Sequence, residues 1–276
     1  MDDVLRLHEA SLSFGERVLW HDLNLAVRAG EFFAVLGPNG SGKTSFLKVL
    51  LGLQPLSSGT VQITGRPPCQ SRDEVGYVPQ QKGFPAQTPL RSRDLVGLGL
   101  DGNRWGFSLP GTKRARNGRV DQLLADVGAS HYADAPVGLL SGGEQQRLRI
   151  AQALATDPKL LLCDEPLLSL DLNHQRAVST LVARQAHEAG AAVVFVTHEI
   201  NPIIDYVDRV LYLAGGRFQM GTPDEVMTSE VLSDLYQTPI DVLRSNGRIL
   251  VSGHPDATTH HHHSPHDDLT SGSWGR

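Results

Sequence analysis

Three short runs in this sequence carry residue types whose order implies phosphate chemistry. The first, Gly37-Pro38-Asn39-Gly40-Ser41-Gly42-Lys43-Thr44, fits the pattern GxxxxGK[ST]. Its glycines allow successive backbone N–H groups to turn inward around phosphate oxygens, helped by the positive end of the helix that follows. Lys43 is placed to reach the β- and γ-phosphates of a nucleotide, and the Thr44 hydroxyl to ligate Mg2+. The second run, Leu161-Leu162-Cys163-Asp164-Glu165, is an apolar strand that ends in two acids. At the carboxyl edge of an α/β sheet such acids face a ligand. Asp164 is read as the magnesium-side carboxylate and Glu165 as the general base that polarises an attacking water. The third run is Leu140-Ser141-Gly142-Gly143-Glu144-Gln145-Gln146-Arg147. A serine and two glycines ahead of a helix offer a hydroxyl and free N–H groups, which makes a second anion site.

These runs need elements to hold them. Val4 to Val27 alternates apolar and polar residues around Phe14-Gly15-Glu16 and predicts antiparallel strands at a sheet edge. Phe32 to Leu36 predicts a strand leading into the first glycine loop, with a helix from Lys43 to about Leu51 closed by Gly52. Tyr77-Val78-Pro79 closes a further strand-like piece. Leu160 to Cys163 and Ala192 to Thr197 read as buried parallel strands, with a helix over Gln175 to Ala189 between them. Gly215-Gly216 joins one hairpin, Arg209 to Leu213 with Arg217 to Met220, and Asn246-Gly247 is the favoured turn for a second. The fold class is therefore α/β, a parallel sheet with helices on its faces.

From about Gln81 to Leu140 the texture changes to Pro, Gly, scattered Arg and one amphipathic stretch, Val120 to Val127. Basic residues outnumber acids between Arg91 and Arg119, with Trp105 and Phe107 among them. Such a stretch is compatible with RNA binding, but it is short and broken by glycine, and a solvated helical lobe is the reading adopted. A net charge of −5 gives a nucleic-acid partner no support. Apolar residues at 40% and charged residues at 20% fit a globular domain. Cys69 and Cys163 form no CxxC pair, as expected of a reducing cytosol. The opening MDDVLRLHEA has no apolar run, so no signal peptide is expected, and no stretch reaches the ~18–20 apolar residues of a membrane span.

A chain that already has one phosphate loop needs a reason for the second site at Ser141-Gly142-Gly143. Here the sequence resembles the ABC ATPase family, whose signature is LSGGQ-like, with Glu144 where many members carry Gln. The resemblance covers roughly Val4 to Pro223 and implies a P-loop NTPase core with an antiparallel β subdomain and a helical subdomain at about 81–155. It implies ATP and Mg2+ as ligands and a head-to-tail dimer in which each Ser-Gly-Gly caps the γ-phosphate held by the other P-loop. Residue by residue, Phe14 falls where an aromatic stacks on adenine, and Gln80 where the Q-loop glutamine senses Mg2+ and the γ-phosphate. Ser169-Leu170-Asp171 falls where the D-loop links the two sites, and His198 where the switch histidine contacts the γ-phosphate. Leu167-Leu168 depart from the Thr-Ala or Thr-Ser common after the acidic pair. The implied partners are a second ATP-binding subunit, an integral membrane permease and, indirectly, an extracytoplasmic substrate-binding protein. The implied place is peripheral, on the cytoplasmic face of the cell membrane.

For cargo, LSFGERVLWHDLNLAV, GLQPLSSGTVQITG and VGYVPQQ are similar to ATPases of the zinc and manganese uptake group. Siderophore and haem importers, exporters and soluble ABC ATPases are the alternatives. One complete motif set and no long heptad run disfavour the soluble class. The expected layout is an ATPase domain over 1–238, a short β-hairpin over 239–253, and a tail over 254–276 without packed structure. The tail carries His254, then His260, His261, His262 and His263, then His266-Asp267-Asp268. Those donors suit Zn2+, Ni2+ or Cu2+. A vector-derived tag is the competing origin.

Overall fold

The computed structural model describes residues 3–80, 83–102, 110–245 and 247–253, with 110–112 described as backbone only. Gln81, Trp105, Phe107, Asn246 and the histidines of the tail (His254, His260, His261, His262, His263 and His266) lie outside the described residues.

A six-stranded sheet forms the centre. β1 (Asp3–Phe14), β2 (Arg17–Arg28) and β4 (Ser58–Ile63) make a separate sheet. The central one contains β3 (Phe32–Leu36), β5 (Val75–Val78), β6 (Leu160–Asp164), β7 (Ala192–Val196), β8 (Arg209–Ala214) and β9 (Arg217–Gly221), in the order β5-β6-β7-β3-β8-β9. Its pairings are parallel from β5 to β8, and β9 closes the edge antiparallel. Every residue of β3, β6 and β7 is buried. This follows from layers on both faces, which turn the strand pattern from alternation into a continuous apolar run.

Alternate residues serve the two layers. Phe33, Val35, Leu160, Leu162, Val194 and Val196 pack with β1, β2 and the helix α1 (Lys43–Leu50). Phe32, Ala34, Leu161, Cys163, Val193 and Phe195 pack toward a helical layer that includes α5 (Leu172–His187). The expectation of an edge position for Val4 to Val27 is therefore corrected. Those strands form their own sheet, in the order β2-β1-β4, stacked on one face of the central one. The reason is visible in β1, where Leu5, Leu7, Ala10 and Leu12 are buried together and need an apolar layer beneath them. Glu9 and Asp22, both at positive φ, sit among the register shifts of the β1–β2 pair.

Between β5 and β6 run α2 (Ser92–Asp101), α3 (Pro110–Asp126) and α4 (Gly142–Ala153), as the composition of that stretch implied. Val120, Leu123, Leu124 and Val127 are all buried, an i, i+3, i+4, i+7 stripe. Ion pairs Arg116–Asp101 and Arg93–Asp134 brace the lobe. The chain ends its described part with α6 (Pro223–Val226), α7 (Ser229–Tyr236) and a hairpin of β10 (Ile240–Ser245) and β11 (Arg248–Gly253). α5 starts at Leu172, before the expected Gln175, because the Asp171 carboxylate accepts from the N–H groups of Asn173 and His174. Leu172 is exposed, so hydrophobic periodicity gave no sign of that first turn.

Candidate nucleotide site

The carboxyl end of β3 opens into the glycine loop. Gly37, Gly40 and Gly42 all have positive φ, and a Cβ on Gly37 would stand 2.1 Å from the Leu213 carbonyl oxygen. Glycine is thus required there by conformation and by space. α1 begins at Lys43 with Gly42 as N-cap, and no side chain caps it. Its first N–H groups are left to an anion, in line with the helix dipole. The Ser41 hydroxyl oxygen is buried with no hydrogen-bond partner among the described residues, an orphan that an oxyanion would satisfy. At the other end of α1, Gly52 donates to Val49 and Leu53 to Lys48, a Schellman closure that makes this short helix a firm platform.

Lys43 is buried, and its ammonium donates to the carbonyls of Gly37 (2.7 Å) and Pro38 (3.0 Å). Burial pulls its pKa down, and the negative charges of Glu165 and Asp164 pull it back up. Asp164 closes β6 at 5% exposure. Burial and then the neighbouring Glu165 raise its pKa, against a hydrogen bond from the Tyr77 hydroxyl and the charges of Lys43 and Lys48. The next residue, Glu165, has φ +44, while its N–H still pairs with the Val196 carbonyl at 2.9 Å. A non-glycine residue held in that region costs about 1–3 kcal/mol and tends to mark a site of function. It lets β6 stop abruptly and aim the Glu165 carboxylate over the sheet edge. Its Oε2 lies 3.7 Å from His198 Nδ1, which follows β7 on a turn tied by Thr197 to Glu199.

These groups surround one cavity of about 670 Å3. Asn39, Gly40, Gly42, Lys43 and Thr44 line it from the loop side, with Glu165 and His198 opposite. Phe14, 49% exposed, stands at the cavity from the β1–β2 turn, and Gln80 enters just after β5. Neither Gly37, Pro38, Ser41 nor Asp164 lines the open space. They form its backing, through the Lys43 contacts and the loop geometry. Thr44, Gln80 and Asp164 together present a hydroxyl, an amide oxygen and a carboxylate, the oxygen donors that a hard cation such as Mg2+ takes. The residues present therefore fit both a phosphate chain and its cation.

Ser141, Gly142 and Gly143 are absent from the cavity wall. They stand at the start of α4, where Ser141 and Glu144 form a reciprocal capping box. The Glu144 carboxylate accepts from both the Ser141 N–H and its hydroxyl, each at 2.8 Å. Gly143 is pinned by His174, whose ring would lie 2.0 Å from a Cβ there. His174 Nδ1 is in turn 2.7 Å from the Asp171 carboxylate, so Asp171 reaches the start of α4 through His174 rather than through the cavity.

Several residues escaped sequence reasoning. Arg17 lines the cavity and donates to the Gly40 carbonyl at 2.6 Å, bracing the glycine loop. Its position three residues after Phe14 was the available signal. Tyr77 gave no signal beyond its place on a strand, since its bond to Asp164 spans two strands. His174 was equally silent, while Leu168, noted only as a departure from the family pattern, is a wall of the cavity.

The family model for ABC transporters matches residues 20–168. The manganese transport system ATP-binding protein MntB of Bacillus subtilis is 32% identical over 252 residues, covering 91% of this chain and 99% of that protein. The zinc import ATP-binding protein ZnuC of Yersinia pestis is 35% identical over 228 residues, covering 83% of each. Among solved structures, a dimeric ATP-binding cassette in a post-hydrolysis state with ADP and Pi superposes with a TM-score of 0.67 at 29% identity, covering 79% of this chain and 98% of that one. With a phosphate loop, an acid pair and an Ser-Gly-Gly helix cap in that arrangement, the chain belongs to the ABC transporter family, as one of its ATP-hydrolysing, ATP-binding subunits.

Proposed function

We propose that two copies of this chain close head to tail on two ATP molecules and drive a membrane permease that imports a divalent metal such as zinc or manganese. One observation carries the dimer: Ser141-Gly142-Gly143, a ready anion site, stands outside the cavity that holds Lys43 and Glu165. Each site is completed by the partner's copy of that run. Phe14 stacks on adenine, the loop from Gly37 to Thr44 wraps the phosphates, and Lys43 neutralises them. Thr44, Asp164 and Gln80 would hold Mg2+, which would supply charge neutralisation for the phosphate chain. Glu165 takes the proton of the attacking water, and His198 donates toward the γ-phosphate. Asp171, through His174 and Gly143, ties one site to the other.

No described helix is long and apolar enough to cross a membrane, so the permease supplies the span. The cleft beside Pro79, with Leu98 exposed in it, receives the permease at the cytoplasmic face. The metal cargo rests on the likeness to the manganese and zinc subunits named above. The test is uptake of radioactive Zn2+ and Mn2+ in cells that carry or lack this subunit. Loss of one of the two uptakes, restored by the intact chain and not by Lys43→Ala, is the expected result. Unchanged uptake of both, with loss of iron-chelate uptake instead, would move the cargo to the siderophore and haem class.

A further inference from the structure

Gln145 belongs to the run Leu140 to Arg147, yet the proposed reaction has no use for it. It is 5% exposed, and its carboxamide makes three hydrogen bonds. Oε1 accepts from the Phe84 N–H at 3.1 Å, and Nε2 donates to the carbonyls of Val137 and Leu140, both at 3.0 Å. The partners lie on two segments far apart in sequence. Phe84 follows Gln80, while Val137 and Leu140 lead into Ser141. A carboxamide alone among side chains offers an acceptor and two donors on one planar head.

Three further contacts join the same segments. The Arg149 guanidinium lies over the Phe84 ring at 4.5 Å from its centroid. The Val137 N–H donates to the Leu90 carbonyl at 2.8 Å. Gly138 passes so close that a Cβ would stand 2.3 Å from the Pro85 carbonyl oxygen. The polar core of this junction is Gln145, whose one side chain binds both segments.

We propose that Gln145 is a positioning residue that locks 84–90 to the Ser141-Gly142-Gly143 loop, so that closure on ATP at one is transmitted to the other. This rests on the reading above, in which Ser141 to Gly143 cap the partner's ATP. Linkage is reciprocal, so whatever moves 84–90 also biases ATP closure.

Amide hydrogen exchange on the full chain tests it, with Glu165→Gln to hold ATP and with ATP and Mg2+ present or absent. In that parent, ATP slows exchange over both 137–144 and 84–90. Adding Gln145→Leu, or Gln145→Met as a second choice, leaves the ATP-induced protection of 137–144 in place and lowers that of 84–90 at least fivefold. A side chain that serves only the fold would lower both together, which overturns the proposal, as does retained protection of 84–90 in the variants. The parent alone also decides: protection at 137–144 without any at 84–90 refutes the linkage. Protection at neither refutes the ATP-capping reading first, and the linkage with it.

Discussion

Glu144 offers a sharp test of the proposed phosphate contact of Ser141. Its carboxylate holds both the N–H and the hydroxyl of Ser141 at 2.8 Å. If Ser141 turns its hydroxyl to a γ-phosphate, the carboxylate is left about 5 Å from a phosphate oxygen, two hydrogen-bond reaches away. Two like charges at about 5 Å repel by about 0.8 kcal/mol in bulk water and about 3 kcal/mol at an effective dielectric of 20. The site lies at the surface of the subunit, so the lower end applies, about 1 kcal/mol for each of two symmetric sites. Glu144→Gln keeps the capping box, since an amide oxygen still accepts from the Ser141 N–H. The ATP-bound dimer should therefore tighten by about 2 kcal/mol, roughly 30-fold in Kd. Sedimentation velocity across a concentration series, in the Glu165→Gln background with ATP, reads this directly. The gain should shrink at about 1 M salt, where the Debye length falls to about 3 Å. A dimer of unchanged or lower affinity, or a gain indifferent to salt, would refute the placement of Ser141 against phosphate.

Gly37→Ala must relieve a 2.1 Å contact with backbone and a φ of +143, and should cost about 2–5 kcal/mol in denaturant unfolding with loss of ATP binding. Glu74 is held to a pKa of about 2 by the Thr64 hydroxyl first, then by Lys159 and Arg66. A depressed carboxylate stabilises the fold above its ordinary value of 4.5 and loses that contribution as pH falls toward 2. Glu74→Gln should therefore be less stable at pH 6 and flatten the loss of stability between pH 4.5 and 2, measured by thermal unfolding. Removing the His-rich tail, residues 254–276, should abolish any response of the transporter's ATPase to micromolar Zn2+, and a response that survives would acquit the tail.

The legible parts of the sequence were those where chemistry is local. Gly37 to Thr44 must be contiguous to wrap a phosphate chain, so one run shows both loop and helix start. β6 and β7 were readable because burial on both faces leaves an unbroken apolar run. What stayed hidden is pairing across distance. β1 and β2 alternate in the same way at a sheet edge or in a sheet of their own, and only the partner layer decides. Arg17, Tyr77, His174 and Gln145 act through the Gly40 carbonyl, Asp164, Asp171 and Phe84, contacts set by tertiary packing and invisible to periodicity. The strained φ of Glu165 is a further case, since no sequence rule marks a glutamate for the left-handed region.

In the proposed dimer one chain holds half of each of two sites, with Glu165 as the base. Glu165→Gln keeps the shape and removes the base. This variant with ATP and Mg2+ should run as a dimer in size-exclusion chromatography with two ATP per dimer retained, while phosphate release falls at least a hundredfold. A variant that hydrolyses ATP at the parent rate, or that retains ATP as a monomer, would contradict it.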